Sequence, residues 1–586
     1  MVSCYIKDYP RPQLVRKDWQ NLNGKWDFKF DDENNGVSQN LHLGFEGQAI
    51  QVPFTYETEL SGIGDPSHHS CVWYSRAVVI PGDKLSSVAL LHFEGSDYRT
   101  TVWVNGCCAG EHEGGYSRFS FPIQGYIKAG VNNIAVRCED SVSTSQPRGK
   151  QRWMDDNYGC WYVQTTGIWK TVWLEFLSDT HLRDVKITPY LDDASVEFEY
   201  HVSANCGITC SVESEIAFNG HIVSTQRTSL ENFRQTVRVS VSSDKLAWRV
   251  PMWSPDEPNL FDVIFRVYMN GELVDEAGSY FGMRKIEISG NNVMLNNSPI
   301  YQRLILDQGY WRKSGLTPPS EDALIEDIDK ILQLGFNGLR KHQKVEDERF
   351  LFWCDVKGML VWSEAAATYR YDDDAVQSFT KEWIEIVRQY YNHPSIIIWT
   401  PFNESWGVPN IKDNVKQQSF TASIYHLTKA LDANRPVITN DGWEHTCSDI
   451  ITLHDYEQDA VKFNDIYKLD GAMLSNGIPM TNQRFAFANG WEYEGQPVII
   501  SEYGGIAISG QGEGWGYGNK AADAQGLIKR YEALTAAIQK LPYICGFCYT
   551  QVTDVAQEVN GLMDIDRSFK CDPEAIRAIN LKKTGR

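Results

Sequence analysis

The sequence predicts a multidomain fold: an N-terminal jelly-roll-like β-sandwich over 1–180, an immunoglobulin-like β-sandwich over 181–285, and a C-terminal (β/α)8 TIM barrel over 286–586. Three observations predict it. A chain of 586 residues is too long for one hydrophobic core. The first half alternates apolar and polar residues with a period of two, punctuated by Asn-Gly turns. The second half alternates short β-branched runs with amphipathic helical segments.

In the first segment the alternating runs fall at 25–30, 72–79 and 100–104. Asn105-Gly106 and Pro81-Gly82-Asp83 are the turns between such runs. No helical periodicity competes, so a sandwich is expected. The second segment continues the pattern at 196–200 and 235–241, with Asn219-Gly220 and Asn270-Gly271 as hairpin turns. About seven such runs in about 100 residues fit an immunoglobulin-like sandwich.

From 286 the pattern changes. A strand at 301–306 opens the barrel. Ser320 then caps a helix whose first turn carries Glu321 and Asp322. Leu324, Ile328 and Ile331 line its apolar face, and Gly335 ends it. Strands follow at 337–340 and 359–363, then a helix marked by Val376, Phe379, Trp383, Ile386 and Tyr390. The run 395–402 is a buried strand, and 436–439, 449–453, 497–501 and 543–548 supply the rest. Eight strand–helix alternations in about 300 residues are the size of one barrel.

The bulk properties exclude several function classes. A net charge of -21 argues against a nucleic-acid or anionic membrane surface. The 13 cysteines are scattered, without repeated metal-ligand spacing, and read as reduced thiols. The first ten residues lack an apolar signal core and no run of 18 apolar residues exists, so a cytoplasmic chain is expected. Nineteen Trp and 28 Tyr exceed ordinary usage. Sandwich cores absorb most such rings; the remainder can stack on the C–H faces of sugars.

Two carboxylates carry the chemistry. Glu404 closes the strand 395–402 and Glu502 closes the strand 497–501, so both stand at carboxyl ends of buried strands, where barrel active sites lie. Paired carboxylates there suit glycoside cleavage, in which one acid protonates the leaving oxygen and its ionised partner supplies electrons at the anomeric carbon. The aromatic surroundings of Glu404 (Trp399, Phe402, Trp406) favour the neutral acid by desolvation. Tyr503 is expected to donate a hydrogen bond to Glu502, which favours its role as nucleophile. No cofactor or metal is required.

With these residues in place, the chain resembles glycoside hydrolase family 2 over nearly its whole length. The resemblance rests on Thr165-Thr166-Gly167-Ile168-Trp169, on Arg340-Lys341-His342, on Asn403-Glu404-Ser405-Trp406-Gly407 and on Ser501-Glu502-Tyr503-Gly504. It implies a sugar-binding-like first domain and a retaining double displacement with Glu502 as nucleophile and Glu404 as acid/base. It also implies that Asn403 hydrogen-bonds the sugar 2-hydroxyl and that a tyrosine, here Tyr456 after His454, lies near the nucleophile. Asp307, Gln308, Arg340, His342, His454, Tyr456, Tyr503, Trp406 and Tyr549 are the further candidates for substrate binding, with Tyr549 standing where many relatives carry tryptophan. Glu364 is expected to act through its neighbours.

The glycone is left open between galactosyl-type and hexuronosyl residues. The last barrel loop, 557–563, lacks the Asn-x-Lys that the family's glucuronidases use for the uronate, and residues 363–366 lack the metal-binding histidine of its large β-galactosidases. Arg340 offers a fork for a sugar carboxylate, which would make a β-galacturonidase; its alternative task is to order the two glutamates. The expected partner is a small or oligosaccharide β-glycoside, and a homo-oligomer is expected. A non-catalytic carbohydrate-binding protein and a transglycosylase are the competing readings.

Overall fold

The computed structural model describes residues 2–204, 210–230, 233–468 and 472–582. In the N-terminal sandwich, a four-stranded sheet runs in the order Trp19–Asn21, Val172–Leu177, Val88–Phe93, Phe119–Pro122. It packs on a six-stranded sheet ordered Gln48–Val52, Gly24–Phe30, Cys71–Ile80, Gly130–Glu139, Arg99–Val104, Cys107–Glu113. Alternation fills the space between them: Trp26 and Phe28 turn inward while Lys25 and Lys29 stay exposed. Trp26, Phe28, Tyr74, Leu91, Phe93 and Leu174 share one core. Asn105 and Gly106 both take positive φ (50° and 82°) between two paired strands, which is the turn that a right-handed strand twist requires.

The second sandwich has a three-stranded sheet (His181–Tyr190, Ser195–Ser203, Arg234–Ser240) and a four-stranded one (His221–Leu230, Cys210–Phe218, Phe261–Met269, Glu272–Phe281). Phe198, Tyr200, Ile216, Phe261 and Phe265 are among the residues of its core. Arg284 fastens this end of the chain to the barrel, donating to the carbonyls of Pro394 (2.7 Å) and Ile396 (2.9 Å).

The barrel strands are β1 (Gln302–Asp307), β2 (Gly338–Lys341), β3 (Leu360–Glu364), β4 (Ile396–Thr400), β5 (Asn440–Asp441), β6 (Ile451–His454), β7 (Val498–Gly504) and β8 (Ile544–Thr550). Seven form one parallel sheet in the order β4-β3-β2-β1-β8-β7-β6. The residues around β5 close it. Ile438 N donates to Trp399 O at 2.9 Å, Phe402–Asn403 pairs with β5, and His454 N reaches Gly442 O at 3.2 Å.

Among the described residues seven α-helices follow the strands: Glu321–Gln333, Glu348–Lys357, Asp373–Tyr390, Val415–Leu431, Ala460–Tyr467, Ala524–Gln539 and Pro573–Asn580. The expectation of eight alternations is corrected here, because residues 442–450 join β5 to β6 without an α-helix. Ser320 caps the first helix by accepting from Ala323 N at 3.1 Å, and Leu324, Ile328 and Ile331 are buried. Asp372 caps Asp373–Tyr390 in the same way.

One excursion of the first sandwich positions the site. Residues 141–166 leave the sandwich and lie over the carboxyl ends of the barrel strands. Arg148 N donates to Ala367 O at 2.8 Å, Gln557 Nε2 to Trp161 O at 3.0 Å, and Trp515 Nε1 to Gly159 O at 3.1 Å. The described cysteines are all free. No helix of the described residues is long and apolar enough to cross a membrane.

Candidate active site

β4 is buried along its length, and Phe402–Asn403 continues its line beside β5. The backbone then turns sharply, with Glu404 and Ser405 at φ 51° and 60°. The left-handed region costs a non-glycine residue about 1 kcal/mol or more. The turn is held by Glu404 N donating to Asp441 O at 2.9 Å and Ser405 N to Asn440 Oδ1 at 3.0 Å. It leaves the Glu404 carboxyl half-buried at the strand end. Glu502 comes from β7, whose seven residues are all buried. Carboxylate oxygens of Glu404 and Glu502 lie within 4.8 Å of each other, with His454 Nδ1 inside the same radius.

The surroundings push these two carboxyls in opposite directions. Burial raises the Glu404 pKa and the charge of Glu502 adds to it, outweighing the hydrogen bond from His454. Burial acts on Glu502 too, but His454 and Arg340 overcome it and hold its pKa below the ordinary value. The Tyr456 hydroxyl also donates to Glu502 Oε2. His454 Nδ1 is 2.9 Å from Glu404 Oε1 and its Nε2 is 3.0 Å from Asp441 Oδ2. Burial alone would lower the pKa of His454; Glu502 and Asp441 overcome it and push it to about 10. Two titratable groups driven apart in this way are suited to opposite protonation states in one site.

Arg340 on β2 is wholly buried and fully engaged. Its Nε reaches Glu364 at 2.6 Å and its Nη1 reaches Glu502 Oε1 and Asp441 Oδ2, each at 2.8 Å. Its Nη2 reaches Asn403 Oδ1 at 2.5 Å and His342 Nδ1 at 3.0 Å. No donor is left for a substrate carboxylate, so the expectation of an Arg340 carboxylate clamp is corrected. Arg340 orders the pair instead. It also fixes Asn403, whose Nδ2 is buried without a protein partner. His342 lies beside Arg340 and Glu364, and burial followed by the charges of Lys150 and Arg340 keeps it neutral.

Three expected substrate-binding residues do not reach this pocket. The Tyr503 hydroxyl pairs with Thr535 Oγ1 at 2.8 Å on a surrounding helix, because neighbours on a strand face opposite sides and Glu502 takes the inward position. Tyr456 supplies the hydrogen bond expected of Tyr503. Tyr549 is likewise turned outward, its ring 4.8 Å from that of Tyr531. Asp307 is consumed by Lys341 (2.6 Å) and by Gly309 N (2.8 Å) in a buried cluster that also holds Glu346. Gln308 builds a wall, donating to Glu558 Oε2 at 2.6 Å and Gln551 Oε1 at 2.7 Å. Trp406 joins an aromatic group with Trp161, Tyr369 and His342, at ring separations of 5.9, 5.5 and 6.0 Å.

Sequence reasoning missed Asp441, Tyr517, Glu558, Trp161 and Lys150. Asp441 ends β5, so the strand-end rule that found the glutamates would have found it. Tyr517 stacks on Tyr456 from the loop after β7. Trp161 and Lys150 come from the first sandwich, and no barrel pattern announces them. Glu404, His454 and Glu502 bring one ligand atom each within 4.8 Å of one another, the spacing of a cation site. Both His454 nitrogens already face carboxylates and its pKa is raised, so an imidazolium suits the position better than a metal ligand.

Comparisons agree with this architecture. Three family models match in succession: Glycosyl hydrolases family 2, sugar binding domain, over 19–175; Glycosyl hydrolases family 2 over 180–284; and Glycosyl hydrolases family 2, TIM barrel domain, over 286–559. The chain is 27% identical to the beta-galactosidase of Thermoanaerobacter pseudethanolicus across 78% of its own length and 58% of that protein. It spans about half the length of the curated relatives that it matches. Among solved structures, the beta-glucuronidase of Ruminococcus gnavus superposes with a TM-score of 0.79 at 17% identity, covering 98% of this chain and all of that one. A family 2 beta-galacturonidase from Eisenbergiella tayi gives 0.76 at 21% identity, covering 98% and 99%. The chain belongs to glycoside hydrolase family 2.

Proposed function

We propose that this chain is a retaining exo-β-glycosidase that removes a terminal non-reducing β-D-galactosyl-type or β-D-hexuronosyl residue. The observation that carries this reading is the carboxyl pair: oxygens of Glu404 and Glu502 within 4.8 Å, one group held toward its acid form and the other toward its base form. Retaining enzymes place their carboxyls about 5–5.5 Å apart, whereas inverting ones leave room for a water at about 6.5–9.5 Å. The glycosidase names of the relatives support the same class.

Glu502 attacks the anomeric carbon while protonated Glu404 gives its proton to the departing oxygen. The bond to the aglycone breaks and a covalent glycosyl ester with Glu502 forms. Glu404, now ionised, takes a proton from water; that water attacks the anomeric carbon and frees the sugar and Glu502. The imidazolium of His454 and the guanidinium of Arg340 keep Glu502 ionised before attack. Asn403 Nδ2 donates to the 2-hydroxyl, a bond that strengthens as positive charge develops on the ring.

The test has two parts. Proton NMR of the first-formed sugar from a chromogenic β-glycoside should show the β-anomer, and an α-anomer would refute retention. A 2-deoxy-2-fluoro-glycoside should add one glycosyl mass to the peptide containing Glu502. Unchanged turnover in Glu502→Gln would refute this mechanism, and a wild type that releases no sugar from any β-glycoside would return the chain to a non-catalytic carbohydrate-binding role. Product analysis with added sugar acceptors separates hydrolysis from transglycosylation.

A further inference from the structure

Arg340 is spent, yet the pocket holds another cation. Lys150 belongs to the excursion of the first sandwich and is 6% exposed. Its position on the barrel is tightly defined. Gly149 N donates to Ala367 O at 3.2 Å and Tyr162 N to Lys150 O at 2.9 Å. Gly149 takes φ +59°, and a Cβ there would stand 2.3 Å from Gln343 O, so only glycine lets the segment come this close. The Lys150 Nζ lies 4.9 Å from the centre of the Trp406 ring, two residues beyond the acid/base. Its charge is felt at Glu404 and at His342, and it is itself influenced by Glu502.

Among the described residues no carboxylate comes within ion-pair distance of this ammonium; its side-chain partner is the Cys160 thiol. Glu558, the carboxylate that acts most strongly on Lys150, accepts at Oε2 from Tyr162, Gln308 and Gln551. Burial would by itself lower the pKa of Lys150, but Cys160 and then Glu558 and Glu502 outweigh it and keep it raised. The ammonium thus stays charged in a buried position with no carboxylate paired to it, and a substrate carboxylate would be its ion-pair partner.

We propose that Lys150 recognises the carboxylate of the sugar, so that the preferred glycone is a β-hexuronide rather than a neutral hexoside. This rests on the glycosidase reading above. It assigns glycone selection to a residue of the first sandwich in a chain whose last barrel loop has no lysine between 557 and 563.

The experiment compares kcat/KM for the 4-nitrophenyl β-D-glucuronide, galacturonide, glucoside and galactoside in the wild type, Lys150→Met and Lys150→Arg. The wild type should favour a uronide. Lys150→Met should lower the uronide-to-neutral ratio by about 30-fold or more, the scale on which an unpaired buried charge is felt, and Lys150→Arg should keep most of it. A wild type that prefers neutral hexosides, or a Lys150→Met that lowers both classes alike, overturns the proposal. So does Lys150-dependent turnover confined to a neutral galactoside bearing a carboxyphenyl aglycone, which would place the anion on the other side of the bond. Thermal shifts with free glucuronate, galacturonate, glucose and galactose give a readout independent of turnover. The acids should stabilise the wild type but not Lys150→Met, and equal shifts in both proteins overturn the assignment. If the wild type cleaves no glycoside, the glycosidase reading fails on its own and the thermal shifts still decide Lys150.

Discussion

His454 stands between Glu404 and Asp441, with one ring nitrogen 2.9 Å from the first and the other 3.0 Å from the second. The imidazolium thereby ties the carboxyl at the end of the β4 line to the end of β5. It also lies 3.6 Å from Glu502. A single charge thus acts on both carboxyls, and its removal has a definite sign for each.

The kcat/KM profile should be a bell whose acid limb reports Glu502 and whose basic limb reports Glu404. The depressed pKa of Glu502 sets the acid limb below the ordinary carboxylate range, and the raised pKa of Glu404 moves the basic limb upward. In His454→Gln both carboxyls lose a stabiliser of their ionised forms, so both limbs should move to higher pH. Limbs that stay in place would show that His454 does not set these titrations.

The same residue links stability to pH. Its folded pKa of about 10 exceeds the unfolded value of about 6.5. Its contribution is therefore complete below about pH 6.5 and is lost as the pH rises through about 10. The Tm gap between wild type and His454→Gln should narrow from pH 6 to pH 10; a gap that widens contradicts the assignment.

Arg340→Ala should depress turnover of uronides and neutral hexosides alike, since Arg340 touches Glu502, Asp441, Glu364 and Asn403 rather than the substrate. It should also cost about 3–5 kcal/mol of stability by leaving buried carboxylates unpaired. Urea denaturation measures the second effect. A loss restricted to uronides would restore the carboxylate-clamp role.

Asn403→Ala should lower kcat more than it raises KM, because the bond to the 2-hydroxyl strengthens on the way to the transition state. With a 2-deoxy glycoside the wild type and the variant should differ little. Equal penalties on both substrates would remove Asn403 from contact with that hydroxyl.

Ser320→Ala should destabilise the barrel by about 1 kcal/mol through the lost cap and leave kcat unchanged. Thermal denaturation alongside a rate assay checks this, and a change in kcat would connect the first barrel helix to the site in a way its position does not suggest.

The sequence carried the barrel and the glutamates plainly, because a buried parallel strand is a run of Ile and Val and its last polar residue marks the rim. Residues such as Tyr503, Tyr549 and Asp307 were harder to place. Adjacent positions on a strand differ by which side of the wall they occupy, and composition near a catalytic residue says nothing about side. The missing helix after β5 was invisible for a related reason, since a strand pattern does not state how its successor is reached. Lys150 and Trp161 were out of reach because they sit more than 200 residues before Glu404 and approach it only through packing of one domain on another.

The close seat of Gly149 against Gln343 has a consequence for how such a chain can be divided. The carboxyl pair resides in the barrel, while Gly149 and Lys150 reach its rim from the first sandwich. A barrel expressed without its sandwich would lack the cover that residues 141–166 lay over the carboxyl ends of its strands.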